Sequence, residues 1–406
     1  MRAIRAAHAF DGAQFLRGGA TVVVDGDRIA GIHTGRVDLA DGVEVTEYDG
    51  TVLPGLFDCH THLVADATFG GLERAGTMTD EAIDGVIVES LRAHAAAGVT
   101  TVRDLGDRGY RTLAFRLSPG LPRVVASGPP VTTPGGHCHF LGGAVAGDVR
   151  AAVAEHAERG VDVVKVMASG GFATTGTDQL GAQFTVGELV ALVDEAHRAG
   201  LPAVAHAHSL VGMKNALAGG IDGIEHFTGL SVEGVQIDDE LLDEVARRGV
   251  VVDLTMGNDR RLHALMPAPP PAVAALAARL GVASFDEFYA QRIGLSTRLR
   301  EHGVAVVVGV DSGMGPQKRH GNAWRVVGEM VDAGYPVAGA LAAATSSAAD
   351  ACGLAGEAGR LVEGYTADLL IVDGDLSCDI SALSSPQEVL IRGTHVALGP
   401  KLLKGV

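Results

Sequence analysis

The chain has 406 residues, 47% of them hydrophobic and 20% charged, with a formal net charge of −17. This length and apolar content suit a large buried core plus a minor module rather than one small domain. The acidic balance excludes bulk binding to nucleic acid or to an anionic membrane surface, which needs a basic footprint.

Residues 1–53 read as β-structure. The run 20–32 is two strands around an Asp25-Gly26 turn, a strong hairpin signal. This segment is too small to build its own core. Runs 367–374 and 388–396 also read as strands, so residues 1–53 and 357–406 are expected to pair into one small β-sandwich. Residues 54–356 alternate short apolar runs with Ala-rich helical patterns, the signature of parallel βα units. The strand candidates are 56–61, 100–104, 123–127, 162–168, 202–206, 221–226, 250–255 and 304–310. Helices are expected at 79–97, 185–199 and 321–333, among others. Eight such units predict an α/β fold with a (β/α)8 TIM-type barrel. A doubly wound open sheet is the alternative, disfavoured because no Gly-x-Gly-x-x-Gly follows the first strand.

Two segments break the rhythm: the loop from Gly128 through His139, and 256–288, which contains Pro267 to Pro271. Both sit where barrels build substrate pockets, and the second reads equally as a lid or an insertion. The four cysteines (Cys59, Cys138, Cys352, Cys378) form no Cys-x-x-Cys pair and suggest no disulfide framework. Reduced thiols, a start lacking the apolar segment of a signal peptide and no membrane-length apolar run make a cytoplasmic protein the expectation.

The chemistry concentrates at strand ends. His60 and His62 leave one face of a short strand and can converge on one metal ion, or else be surface or hydrogen-bonded core histidines. Later strands supply Lys165, His206 with His208, Glu225-His226 and Asp311. Lys165 lies inside an apolar strand, where an isolated charge is costly. It can pair with a carboxylate, snorkel, or react with carbon dioxide to give an anionic carbamate that bridges two metals.

In order along the chain, Pro54-Gly55-x-x-Asp58-x-His60-x-His62, His206-Ala207-His208, Glu225-His226, Asp311-Ser312-Gly313 and Gly359-Arg360-Leu361 resemble the amidohydrolase superfamily. Val164 to Gly171 and Gly135-Gly136-His137 resemble its prolidase-like branch, related to imidazolonepropionase and similar to enzymes that hydrolyse Xaa-Pro dipeptides and N-acyl amino acids. The resemblance implies two divalent ions, of the zinc kind. His60, His62 and Asp311 would hold one ion and His206 and His226 the other. Carboxylated Lys165 and a hydroxide would bridge them, carbon dioxide entering as the lysine carbamate. The hydroxide would attack the amide carbonyl, Asp311 would shuttle the proton to the leaving amine, and His137 would polarise the carbonyl oxygen.

For substrate binding the resemblance and the loop positions suggest His137, His139, His208, Gly170, Gly171, Arg260 and His320, with Gln183 at the rim. A substrate carboxylate wants a cation; Arg261, Lys318 and Arg319 are further candidates. The basic pair before His320 departs from the family pattern, which puts strict Xaa-Pro specificity in doubt. His208 argues mildly against a deaminase. His8, His33, His94, His156, His197 and His395 read as surface or capping residues. The expected partner is a small-molecule substrate, not nucleic acid or membrane, and homo-oligomerisation stays open. Two alternatives stand beside the binuclear amidohydrolase: a one-metal cyclic-amide hydrolase or deaminase, and a non-catalytic small-molecule-binding barrel.

Overall fold

The computed structural model describes residues 1–265, 274–275, 277–278 and 284–397. The Pro267 to Pro271 run lies outside the described residues.

The two ends of the chain meet in one eight-stranded sheet. The strands Arg2–Phe10, Ala20–Asp25, Arg28–Thr34 and Glu44–Pro54 pair there with Leu369–Asp373, Pro386–Ile391 and Thr394–His395. The expected hairpin is present, with Asp25 opposite Arg28 and Gly26 at φ +58°. The sandwich expectation is corrected to one continuous sheet, because Glu44–Pro54 pairs both with Arg2–Phe10 and with Leu369–Asp373 and so joins the two halves. Alternation along the strands gives the sheet two apolar faces. Leu369, Ile371, Val52 and Leu390 pack with Ile4, Val22 and Ile29. Leu370, Val372, Val389 and Ile391 join the main core instead.

Between the ends, parallel strands alternate with helices. Leu56–Thr61, Val99–Asp104 and Arg123–Ala126 form one sheet. Val164–Met167, Ala203–His206, Gly223–Glu225 and Val251–Asp253 form another. The edges are joined by backbone hydrogen bonds: Asp162 N to Ala126 O at 2.8 Å, Val252 N to Ala305 O at 2.9 Å, and Cys59 N to Val308 O at 2.8 Å. The expected strand 304–310 is corrected to an irregular segment, with Val306 bridging Val252. Its backbone is threaded tightly past a buried carboxylate: a Cβ on Gly309 would stand 1.7 Å from Asp253 Oδ2.

Helix boundaries follow their caps. Thr185 and Glu188 form a capping box ahead of Val186–Arg198, and Thr79 caps Asp80–Ala96. Among the described residues, no helix is long and apolar enough to cross a membrane.

Candidate metal centre

The side chains singled out at strand ends converge in one cavity of about 410 Å³. Leu56–Thr61 is buried along its whole length and aims His60 and His62 into it. Donor atoms of His60, His62 and Asp311 lie within 4.8 Å of one another, as do those of His206, His208 and His226. The rings interlock, with centroids 5.2 Å apart for His60 and His226 and 4.6 Å for His206 and His226. Backbone geometry helps: His226 and Asp311 both adopt positive φ, +69° and +63°, turning their side chains off the strand direction.

The ring nitrogens facing away from the cavity are held by fixed partners. His60 Nδ1 lies 2.7 Å from Glu225 Oε2, His62 Nδ1 3.1 Å from Gly106 O, and His226 Nδ1 2.8 Å from Thr255 Oγ1. His206 Nε2 is 3.2 Å from Gly170 O and His208 Nδ1 2.9 Å from Thr228 Oγ1. Each ring therefore offers its other nitrogen to the cavity, the arrangement that orients metal-ligating histidines.

Burial, and then the charge of Lys165, push His60 down to about 4, although Glu225 and Asp311 pull the other way. Burial likewise lowers His206 and His226 well below the usual range, keeping three rings neutral and able to ligate. Burial also disfavours a charged His62, but its hydrogen bond to Asp311 and the charge of Asp311 outweigh that and raise its pKa. For Asp311, burial is overcome by Lys318, His62 and His60, which hold the carboxylate ionised.

Lys165 is 1% exposed, and its Nζ has no hydrogen-bond partner among the described residues. Burial lowers it to about 8. An orphaned amine beside five histidines and an aspartate is the donor set a pair of divalent cations fits once the amine becomes an anion. A third donor group, His60 with Glu225 and Asp253, lies behind His60 rather than on the cavity wall. Glu225 is already held by Arg103 at 3.1 Å. Burial alone would raise Glu225, but Arg103 and His60 bring it to about 2. Neither Glu225's role nor Arg103 was named from the sequence; an acid inside a buried strand next to a ligand histidine is the signal that could have found the pair.

His137 reaches the same cavity, its ring 4.5 Å from that of His206. Its backbone N–H donates to Gln183 Oε1 at 2.7 Å, so Gln183 braces the loop from below. Gly171 packs against the ring, where a Cβ would meet His137 Nε2 at 2.3 Å. Gly170 and Gly171 thus back the site rather than line it. Three expected substrate contacts do not line this cavity. His139 is exposed and folds onto its own turn through Gly136 O at 2.9 Å. Arg260 is exposed and paired with Asp286 at 2.7 Å. His320 turns inward to Ala65 O at 2.8 Å. Arg261 and Arg319 are exposed as well. Lys318 does line the cavity, donating to Thr255 O and Val310 O at 2.7 Å each and lying 3.8 Å from Asp311 Oδ2. Arg292, which sequence reading missed, lines it too and donates to the carbonyls of His226, Leu254 and Phe227. His94 and His156 are buried, not surface residues.

A second cavity, of about 510 Å³, is bordered by Arg103, Asp222, Arg248 and Asp350 and holds none of the convergent histidines.

The chain is similar to the ochratoxinase of Aspergillus niger, 27% identical over 389 residues that cover 87% of this chain and 76% of that one. A crystal structure of a Xaa-Pro dipeptidase with bound methionine superposes with a TM-score of 0.84 at 27% identity, covering 97% of this chain and 99% of that chain. An imidazolonepropionase of Ectopseudomonas mendocina matches in part, 35% identical over 133 residues, 32% of this chain and 31% of that one. The model of the Amidohydrolase family matches residues 51–396, and with that match, over the same stretch that carries the histidine cluster, the chain belongs to the amidohydrolase family.

Proposed function

We propose that this protein is a binuclear metal-dependent hydrolase that cleaves the amide of a small carboxylate-bearing substrate, such as an Xaa-Pro dipeptide or an N-acyl amino acid. Water adds across the C–N bond, leaving a carboxylate and an amine. The observation that carries the reading is the orphaned Lys165 Nζ in a cavity lined by both histidine groups. The eight parallel segments are read as one closed (β/α)8 barrel, supported by the backbone hydrogen bonds that join the sheet edges, with residues 54–356 as the barrel and 1–53 with 357–406 as the small β-domain.

His60, His62 and Asp311 would hold one ion, and His206 and His226, with His208 beside them, the other. Lys165, as its carbamate, would be the shared ligand. When bound, the ions supply Lewis acidity and an activated water. Everything else falls to the chain. Asp311, ionised and half-buried on the cavity wall, accepts the proton of the attacking water and returns it to the leaving nitrogen. Thr174 Oγ1 accepts from the Cys138 N–H at 2.9 Å and lies 2.9 Å from His137 Nδ1. Its own proton then serves Nδ1, and the Nε2–H of His137 is left to donate to the carbonyl oxygen as charge develops. A neutral imidazole is required for this, and burial pushes His137 down to about 3.

The test is metal content per chain on protein purified with zinc and bicarbonate, with intact mass under gentle, non-acidic conditions. About two metals and one added carbon dioxide are expected. About one metal and no adduct would replace this reading with a one-metal cyclic-amide hydrolase or deaminase. A metal-free folded protein without amide hydrolysis would leave a binding barrel.

A further inference from the structure

The chain is poor in aromatic residues, with 11 Phe, 5 Tyr and 1 Trp, yet five of them line the single cavity that holds the histidine cluster. They come from three separate segments. Phe69 follows the first barrel strand and is 41% exposed; Phe172 follows Val164–Met167 and is 49% exposed. Phe285, Phe288 and Tyr289 belong to the helix Phe285–Glu301, capped by Ser284.

That helix is laid along the cavity wall with a gradient. Phe285, Phe288, Tyr289 and Arg292 are spaced three, four and seven residues apart, so they share one face. Further along, Leu295 and Leu299 of this helix are buried in the main core. At its first turn Phe285 and Phe288 are only half buried, their ring centroids 6.0 Å apart. Arg292, two turns deeper, is buried against the His226, Phe227 and Leu254 carbonyls. Across the mouth, Phe172 stands edge-on to His208 at 4.9 Å between ring centroids. Apolar rings gathered from distant segments at the rim of a polar cavity are an exposed patch that calls for an apolar occupant.

We propose that these rings form a specificity subsite for an aromatic group on the part of the substrate furthest from the scissile amide. The proposal rests on the amide-hydrolase reading for its chemistry, but not for the subsite itself. Flat ligand rings would stack or meet the Phe edges face-on, and a small acyl or alkyl group would leave the patch in water.

The experiment compares kcat/KM for acetyl-, benzoyl- and 2-naphthoyl-amino acids, and for acetylated alanine against acetylated 2-naphthylalanine, which places the ring at the other end. Binding of 2-naphthoate and of acetate to the purified protein is measured by calorimetry alongside. The expected result is a preference of about tenfold or more for the aromatic member of one series, and binding of naphthoate but not of acetate. Phe288→Ala and, on a separate loop, Phe69→Ala should each shrink the aromatic-to-acetyl ratio and weaken naphthoate binding. Phe288→Leu controls for the helix. Equal rates at both ends with no naphthoate binding would overturn the subsite. Naphthoate binding that Phe288→Ala weakens, in a protein that hydrolyses no amide, would sustain the subsite and reject the hydrolase reading.

Discussion

His60 Nδ1 donates a 2.7 Å hydrogen bond to Glu225 Oε2, and Glu225 Oε1 in turn accepts from Arg103 at 3.1 Å. The pair, 165 residues apart in the chain, fixes which nitrogen of His60 faces the cavity. Glu225→Gln keeps the shape but not the charge, and frees His60 to take the wrong tautomer. Metal affinity, followed by competition with a chelator, should fall about 10–100-fold. Glu225→Ala also strands the buried Arg103 and should cost about 3–5 kcal/mol in urea unfolding. Unchanged metal affinity in the glutamine variant would show that the bond does not orient the ligand.

Lys165→Ala removes the amine that lines the cavity without a hydrogen-bond partner among the described residues. Metal content should drop below two per chain and activity by about 10³-fold or more, while the melting temperature of the metal-free protein holds or rises, because in that state an unpaired buried polar group is lost with the side chain. Full activity in this variant would sink the bridging role.

His137 and Gly171 are coupled by contact. His137→Ala should lower kcat about 10²–10³-fold with metal content unchanged, the effect of losing one donor to a developing oxyanion. Gly171→Ala places a methyl 2.3 Å from His137 Nε2. It should lower kcat similarly without touching a ligand, measured by the same assay and metal analysis.

Arg292 closes three strand-end carbonyls with one planar fork. Arg292→Lys cannot reproduce that geometry, and at about 1–3 kcal/mol for each buried carbonyl left unpaired, a loss of a few kcal/mol in chemical unfolding is expected.

Away from the cavity, Asp368 sits where the tail strand meets the barrel entry, its Oδ1 accepting from the Arg392 N–H at 2.7 Å. Burial raises its carboxyl from the ordinary 3.8 to about 6, despite that bond. The folded state therefore holds its proton over a range where the unfolded chain has lost it. Stability from this group is full below about pH 4 and is lost as pH rises through 6, by about 3 kcal/mol at 1.36 kcal/mol per pKa unit. Asp368→Asn should flatten the pH 4–6 limb of the stability curve and stabilise the protein at pH 8. An unaltered limb in thermal melts at stepped pH would refute the assignment.

The periodicity of the sequence placed the three helices it named and seven of the eight strands of the βα region, because apolar spacing and caps act locally. Val186–Arg198 sits within the expected 185–199, and Ala203–His206 within 202–206. The eighth segment escaped, since its irregularity comes from threading Gly309 past Asp253, a contact between distant residues. Local pattern likewise singled out His60, His62, Lys165, His206, His226 and Asp311, which come together in one cavity, each ending or interrupting an apolar run, where a polar group needs a reason to be present. It did not place His139, Arg260 and His320, which stand outside the cavity lining. A basic residue in a loop carries no local sign of whether it faces the cavity, a neighbouring acid or the core.

The sequence by itself determined that parallel strands would end in metal-type ligands and that both chain ends would pair as β-structure, since alternation of apolar residues and turn chemistry are written residue by residue. Only the tertiary structure decided which ring nitrogen each histidine presents, that Lys165 is left without a partner, that Glu225 and Arg103 stand behind His60, and that rings from three segments gather at one rim. Those outcomes depend on distances between residues far apart in the chain, which close packing sets and local pattern does not encode.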